Sequence, residues 1–222
     1  MCSSDLVTLD TARGEVARAC RELAAAGLVI GTAGNVSVRA GDLVAVTATG
    51  ARFGDMTAGE VTVVNLAGDV VAGDLAPTSE LLLHLGIYHR YGSAAIVHTH
   101  PPAGTALACV LDELPVIHYQ LLTLGGPIRV APYATFGTPE LAAAVADALD
   151  DRLGALMANH GAITRGGRLD QAVELSLTLE WVCELYRRAA TIGRPRVLDE
   201  RARAAALAAY AQRRYGHPHP AR

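Results

Sequence analysis

At 222 residues and a formal net charge of −3, the chain is long enough for one domain with a substantial core and offers no electrostatic case for nucleic acid as its main partner. Although 51% of it is hydrophobic, no run approaches the roughly eighteen uncharged residues of a membrane span, so no membrane partner is expected. All nineteen basic residues are arginine, which excludes Schiff-base and pyridoxal chemistry and a Walker-type phosphate loop, each of which needs a lysine.

The first residues carry no basic region followed by an apolar stretch, so no signal peptide is expected. Cys2, Cys20, Cys109 and Cys183 form no CxxC pair and read as free thiols of a cytoplasmic protein. Helical spacing of Val16, Ala19, Cys20 and Leu23 predicts a helix over Thr8–Ala26, stopped by Gly27. A glycine-spaced turn at Gly31–Gly34 leads into an alternating strand, Asn35–Arg39. Further strands are expected over Leu43–Thr47, Val61–Leu66 and Val70–Val71. Pro77-Thr78-Ser79-Glu80 opens a helix to about Tyr88, with Glu80 in its first turn complementing the macrodipole.

Ala94–Thr99 reads as a buried strand closed by Pro101-Pro102. A helix over Gly104–Leu111 and strands over Pro115–Tyr119 and Ile128–Pro132 follow. The pattern continues with a helix over Thr138–Leu149, then a strand from Ala155, a break at Gly161 and another strand to Thr164. Asp170 is expected to cap a long, many-sided apolar helix to about Ala190, and an Ala-rich helix covers Asp199–Arg214. The sum is a single α/β domain over residues 1–222, three-layered around a central, mainly antiparallel sheet, with a flexible tail from about 214.

Four side chains stand where they can converge: Glu80, His98, His100 and His160. Residues i and i+2 on a strand share a face about 6.5–7 Å apart, so His98 and His100 point the same way. A His-x-His strand with a distant third histidine at a strand end, His160, is the ligand spacing of a three-histidine catalytic metal site with an open position. Zinc leads on ligand type, with other divalent metals able to substitute. Glu80 can reach the open position or act as a base. His84, one turn after Glu80, reads as structural, a hydrogen bond behind the site or in the core. Gly34-Asn35, Thr49-Gly50 and Thr78-Ser79 offer short donors at turns and a helix start, suited to an anion where no lysine exists.

The stretches Gly31–Ser37, Thr47–Gly50, Thr78-Ser79-Glu80, His98-Thr99-His100, Ile117-His118-Tyr119, Ala131–Thr138 and Asn159-His160-Gly161 together resemble the class II aldolase/adducin family, within it the aldolases of fuculose-phosphate type. The resemblance covers about residues 8–190 and again Tyr215-Gly216. It implies a zinc-dependent aldolase that reversibly cleaves a ketose 1-phosphate, L-fuculose 1-phosphate or a 5-deoxypentulose 1-phosphate, to dihydroxyacetone phosphate and a small aldehyde. By the same resemblance His98, His100 and His160 hold zinc, and Glu80 ligates it at rest and serves as acid/base. Gly34, Asn35, Thr49, Gly50, Thr78 and Ser79 bind the substrate phosphate. Tyr119 and Phe136 position the aldehyde, and Tyr215 reaches a neighbouring subunit's site in a homotetramer with a nine-stranded sheet. Rivals are a sugar-phosphate 4-epimerase, which carries aspartate where Glu80 stands, a methylthioribulose-1-phosphate dehydratase, and a non-enzymatic adducin-like scaffold.

Overall fold

The computed structural model describes residues 3–212. Tyr215, the histidines at 217 and 219, the tail from about 214 and Cys2 lie outside the described residues.

Strand β1 (Asn35–Ala40) shows how the sheet is assembled. Val36 and Val38 project into one apolar cluster, shared with helix α1 (Ser3–Ala25). Ser37, between them, turns to the opposite face. Strand β2 (Leu43–Thr47) divides in the same way: Ala45 goes to the α1 side, while Val44 and Val46 join a second cluster. β3 (Val61–Asn65) and β4 (Val70–Ala72) extend the sheet on that edge. Helix α2 (Leu81–Tyr91) and strand β5 (Ala95–Thr99) follow, then α3 (Pro102–Ala108) and the short β6 (Glu113–Leu114). β7 (Ile128–Ala131), α4 (Pro139–Ala148), β8 (Gly154–Met157), β9 (Gly161–Gly166), α5 (Leu169–Ile192) and α6 (Glu200–Gln212) complete the chain.

Among the described residues one nine-stranded sheet runs β4-β3-β2-β1-β5-β9-β8-β7-β6. Helices α1, α3 and α5 cover one face and α2 with α4 the other, which makes three layers. The expectation of a mainly antiparallel sheet is corrected to a mixed one: β7 runs parallel to β8, the intervening helix α4 making the crossover, while the other ladders are antiparallel. Each fully buried Val or Leu in these layers contributes about 1.5–3 kcal/mol.

Four local expectations fail for identifiable reasons. Pro115–Tyr119 is not a strand: proline has no N–H for a ladder, and the Val116 carbonyl accepts instead from Leu198 N–H ahead of α6. α3 begins earlier than expected because Pro102 suits a first helical position. The residue at the start of α5 is Arg168, and Asp170 lies inside the helix, accepting from Gln171 N–H and pairing with Arg168. Glu80 is the residue preceding α2 and makes no side-chain bond to the helix end, so its carboxylate is available elsewhere.

The middle of the sheet defines the important geometry. Asn35, which opens β1, lies opposite His98 near the end of β5, and Ala162 of β9 lies opposite Thr99. Three strand ends therefore meet along one line.

Candidate active site

His98 lies on β5, His100 just past its end, and His160 in the tight turn between β8 and β9, where Asn159 adopts a positive φ of 55°. The turn bends at Asn159, two residues before the break expected at Gly161. Gly161 matters for a different reason: a Cβ there would sit 2.4 Å from the Thr99 carbonyl and 3.4 Å from the rings of both His98 and His100. Only glycine lets β9 approach so closely.

The three imidazoles form a near-equilateral triangle, with centroids 4.8, 4.9 and 4.9 Å apart and rings steeply tilted to one another. One ligand atom from each lies within 4.8 Å of the others. His98 Nδ1 lies 2.9 Å from the Ala162 carbonyl, to which it donates, so the Nε2 lone pair faces the triangle's centre. His100 Nε2 approaches His98 Nε2 at 3.0 Å. Burial first, and then the neighbouring ring of His98, push His100 down to about 3 and His160 down to about 4, so both are neutral at physiological pH.

Glu80 closes the cluster. Its Oε2 lies 3.2 Å from His98 Nε2 and its Oε1 3.5 Å from His160 Nε2. Burial alone would raise this carboxyl; the close contact with His98, the hydrogen bond donated by Asn35 and the nearby His160 bring it well below the usual carboxylate range. Oε1 is buried without a hydrogen-bond partner. Three imidazole nitrogens aimed at one point, with a carboxylate oxygen that has no hydrogen-bond partner beside them, fit a divalent cation and leave a donor set typical of zinc.

A cleft of about 280 Å³ opens from this cluster. Its walls include Gly34, Asn35, Thr49, Gly50, Thr78, Ser79, Glu80 and Phe136 together with His100 and His160. Gly34 has a φ of 105°, and a Cβ there would meet the His98 carbonyl at 2.9 Å, so this glycine fixes how close the turn lies to β5. Thr49 and Thr78 spend their N–H groups on the Ala76 and Thr47 carbonyls. Their hydroxyls are what remains for an anion; Thr78 Oγ1 accepts from Glu80 N–H and keeps its own proton to donate. Among the described residues no arginine lines the cleft.

Tyr119 is not brought to the cleft within one chain. It opens the 3₁₀ turn after β6, is 54% exposed, and lines a separate hollow with Gln120, Thr123 and Tyr210. Sequence reasoning also passed over lining residues: Tyr133, two-thirds exposed at 67%, and Asn159. The positive φ that asparagine tolerates was a usable signal for Asn159, whereas nothing local distinguishes Tyr133 from any loop aromatic.

A family model described as Class II Aldolase and Adducin N-terminal domain matches residues 14–187. The chain belongs to the class II aldolase and adducin family. Among relatives in that family, a 5-deoxy-D-ribulose 1-phosphate aldolase of Bacillus thuringiensis serovar kurstaki is 35% identical over 195 residues, 86% of this chain and 92% of that protein. A 5-methylthioribulose-1-phosphate/5-deoxyribulose-1-phosphate aldolase of Rhodospirillum rubrum is 38% identical over 182 residues, covering 81% and 82%. The class II aldolase fold is matched by a solved L-fuculose 1-phosphate aldolase with a TM-score of 0.87 and 33% identity, over 95% of this chain and 98% of that one.

Proposed function

We propose that this class II aldolase reversibly cleaves a ketose 1-phosphate, either 5-deoxy-D-ribulose 1-phosphate or L-fuculose 1-phosphate, into dihydroxyacetone phosphate and a small aldehyde. The observation that carries the reading is Glu80 lodged against three converging imidazoles with one oxygen unpaired, at the head of a cleft lined by hydroxyl and backbone donors. His98, His100 and His160, with Glu80 in the resting arrangement, would hold a divalent cation, zinc by ligand type. Bound there, the cation supplies Lewis acidity toward the ketone and neighbouring hydroxyl oxygens.

The chain's own groups do the rest. As the bond between the third and fourth carbons breaks, the hydroxyl on the fourth carbon gives its proton to the tail tyrosine Tyr215 of a neighbouring subunit and that carbon leaves as the aldehyde, while the electron pair of the broken bond stays on the carbon that becomes the hydroxymethyl end of dihydroxyacetone phosphate. Glu80 delivers a proton to that carbon, and in the condensing direction removes it, through Oε1. Asn35, Gly34, Gly50 and the hydroxyls of Thr49, Thr78 and Ser79 hold the phosphate away from the reacting bond and orient it. Phe136 and Tyr133 flank the aldehyde end. Tyr119 and Tyr215 serve a neighbouring subunit's cleft in a homotetramer, which fits the exposure of Tyr119 and its distance from the cleft of its own chain. The buried thiols Cys20 and Cys183 fit a cytoplasmic enzyme, and no described helix is long and apolar enough to cross a membrane.

Purified protein supplied with a panel of ketose 1-phosphates tests this directly. Dihydroxyacetone phosphate and an aldehyde are expected, with activity lost to a chelator and regained with zinc. Water loss with the carbon skeleton intact, or inversion at the fourth carbon, would overturn it.

A further inference from the structure

Behind Glu80 lies a line of polar side chains sealed between β1 and α2. Asn35 and Ser37 come from the same face of β1, and His84 and Tyr88 from one face of α2, so strand and helix each contribute alternate members. All four are buried, His84 completely. Tyr88 Oη lies 2.7 Å from Ser37 Oγ, which lies 2.7 Å from His84 Nδ1. His84 Nε2 meets Asn35 Oδ1, and Asn35 Nδ2 donates to Glu80 Oε2 at 2.9 Å.

Elementary valence fixes the direction of every bond. An ionised carboxylate only accepts, so Asn35 must present its amide N–H to Glu80 and its carbonyl to His84. His84 therefore carries its proton on Nε2, its Nδ1 accepts from Ser37, and Ser37 accepts from Tyr88. Burial pushes His84 down to about 3, consistent with the single proton this chain requires. Four buried polar groups are a costly way to fill space that valine and leucine would fill as well, unless their direction matters.

We propose that His84 is a positioning residue. Its Nε2–H locks the Asn35 carboxamide with the NH₂ toward Glu80, which pins Oε2 and leaves Oε1 as the oxygen that moves protons. Resting on the assignment of Glu80 as acid/base, this explains why one carboxylate oxygen is held and the other is unpaired. Without the donor at His84 the buried Asn35 carbonyl loses its partner, so the side chain swings away to satisfy it and its N–H hold on Oε2 loosens.

The test compares His84→Gln, whose N–H reaches a similar point, with His84→Met, which has no donor. In the zinc-loaded enzyme His84→Met should lose roughly 10- to 100-fold in kcat, with KM within about threefold and metal content unchanged, while His84→Gln regains most of the loss. Equal kcat in the two folded variants, high or low, would overturn the proposal. ¹⁵N-histidine spectra of the metal-free wild type supply a readout independent of catalysis and of variant folding: the Nε2–H tautomer of His84 is expected at neutral pH, and the Nδ1–H tautomer or an imidazolium would overturn it. A wild type inactive on every ketose 1-phosphate would remove the aldolase reading, whereas the tautomer would still decide the orientation of Asn35.

Discussion

Glu80 has two oxygens in two different situations, and its replacement separates binding from chemistry. Glu80→Gln keeps a neutral oxygen beside the imidazoles but removes the group that takes and gives a proton. Metal content near that of wild type is expected, with kcat lower by roughly 100- to 10,000-fold. Metal analysis alongside steady-state rates checks it, and full turnover in this variant would remove Glu80 from the chemistry. Gly161→Ala tests the packing that gathers the rings: its methyl would press on the Thr99 carbonyl and the rings of His98 and His100. A loss of about 1–3 kcal/mol in denaturant titration, with weakened metal retention, is expected. At this scale the histidines were legible because strand periodicity and the Asn-His-Gly turn are local signals. Tyr133 and the pairing of Asn35 with His84 were not, since one depends on a loop's path and the other on which helix face meets β1.

Elements hold these residues by contacts that span the fold. Helix α3 starts immediately after His100-Pro101, and Glu180 of α5 grips its first turn, accepting from Ala103 N–H and Gly104 N–H at 2.8 Å each. That carboxylate ties the end of β5 to α5. Burial raises the Glu180 carboxyl, and the two backbone N–H groups offset this only in part. Because the folded chain holds the Glu180 proton more readily than the unfolded one, the group's contribution is greatest at low pH and declines as pH rises through its elevated value. Glu180→Gln removes this titration, so the stability of wild type relative to the variant should shrink as pH rises from the ordinary glutamate range through the raised value of Glu180, as read by urea unfolding. A difference that grows over that range would show that the N–H bonds outweigh burial. Most strands were readable from alternation, as in Val36-Ser37-Val38. The segment after Pro115 was not, because its partner, Leu198, lies far along the chain and no local pattern announces that pairing.

At the scale of the whole molecule, the site sits where β5 ends and β1 and β9 begin, near the middle of the sheet, while Tyr119 stands outside that cleft. The family resemblance supplied the role of Tyr119, and one chain's geometry does not bring it to Glu80. A tetramer resolves the separation if each cleft borrows Tyr119 from its neighbour. Sedimentation should then find four copies, and Tyr119→Phe should lower kcat with metal content unchanged. Mixing separates borrowing from remote structural effects. Glu80→Gln and Tyr119→Phe chains, each impaired alone, are unfolded together and refolded as hybrids. Where the tyrosine acts across an interface, about a quarter of clefts regain an intact Glu80 from one variant and an intact Tyr119 from the other, and activity rises in proportion. Were Tyr119 to act on its own chain's Glu80, every cleft would keep one defect and mixing would restore nothing, so the two arrangements give opposite results with the same two proteins.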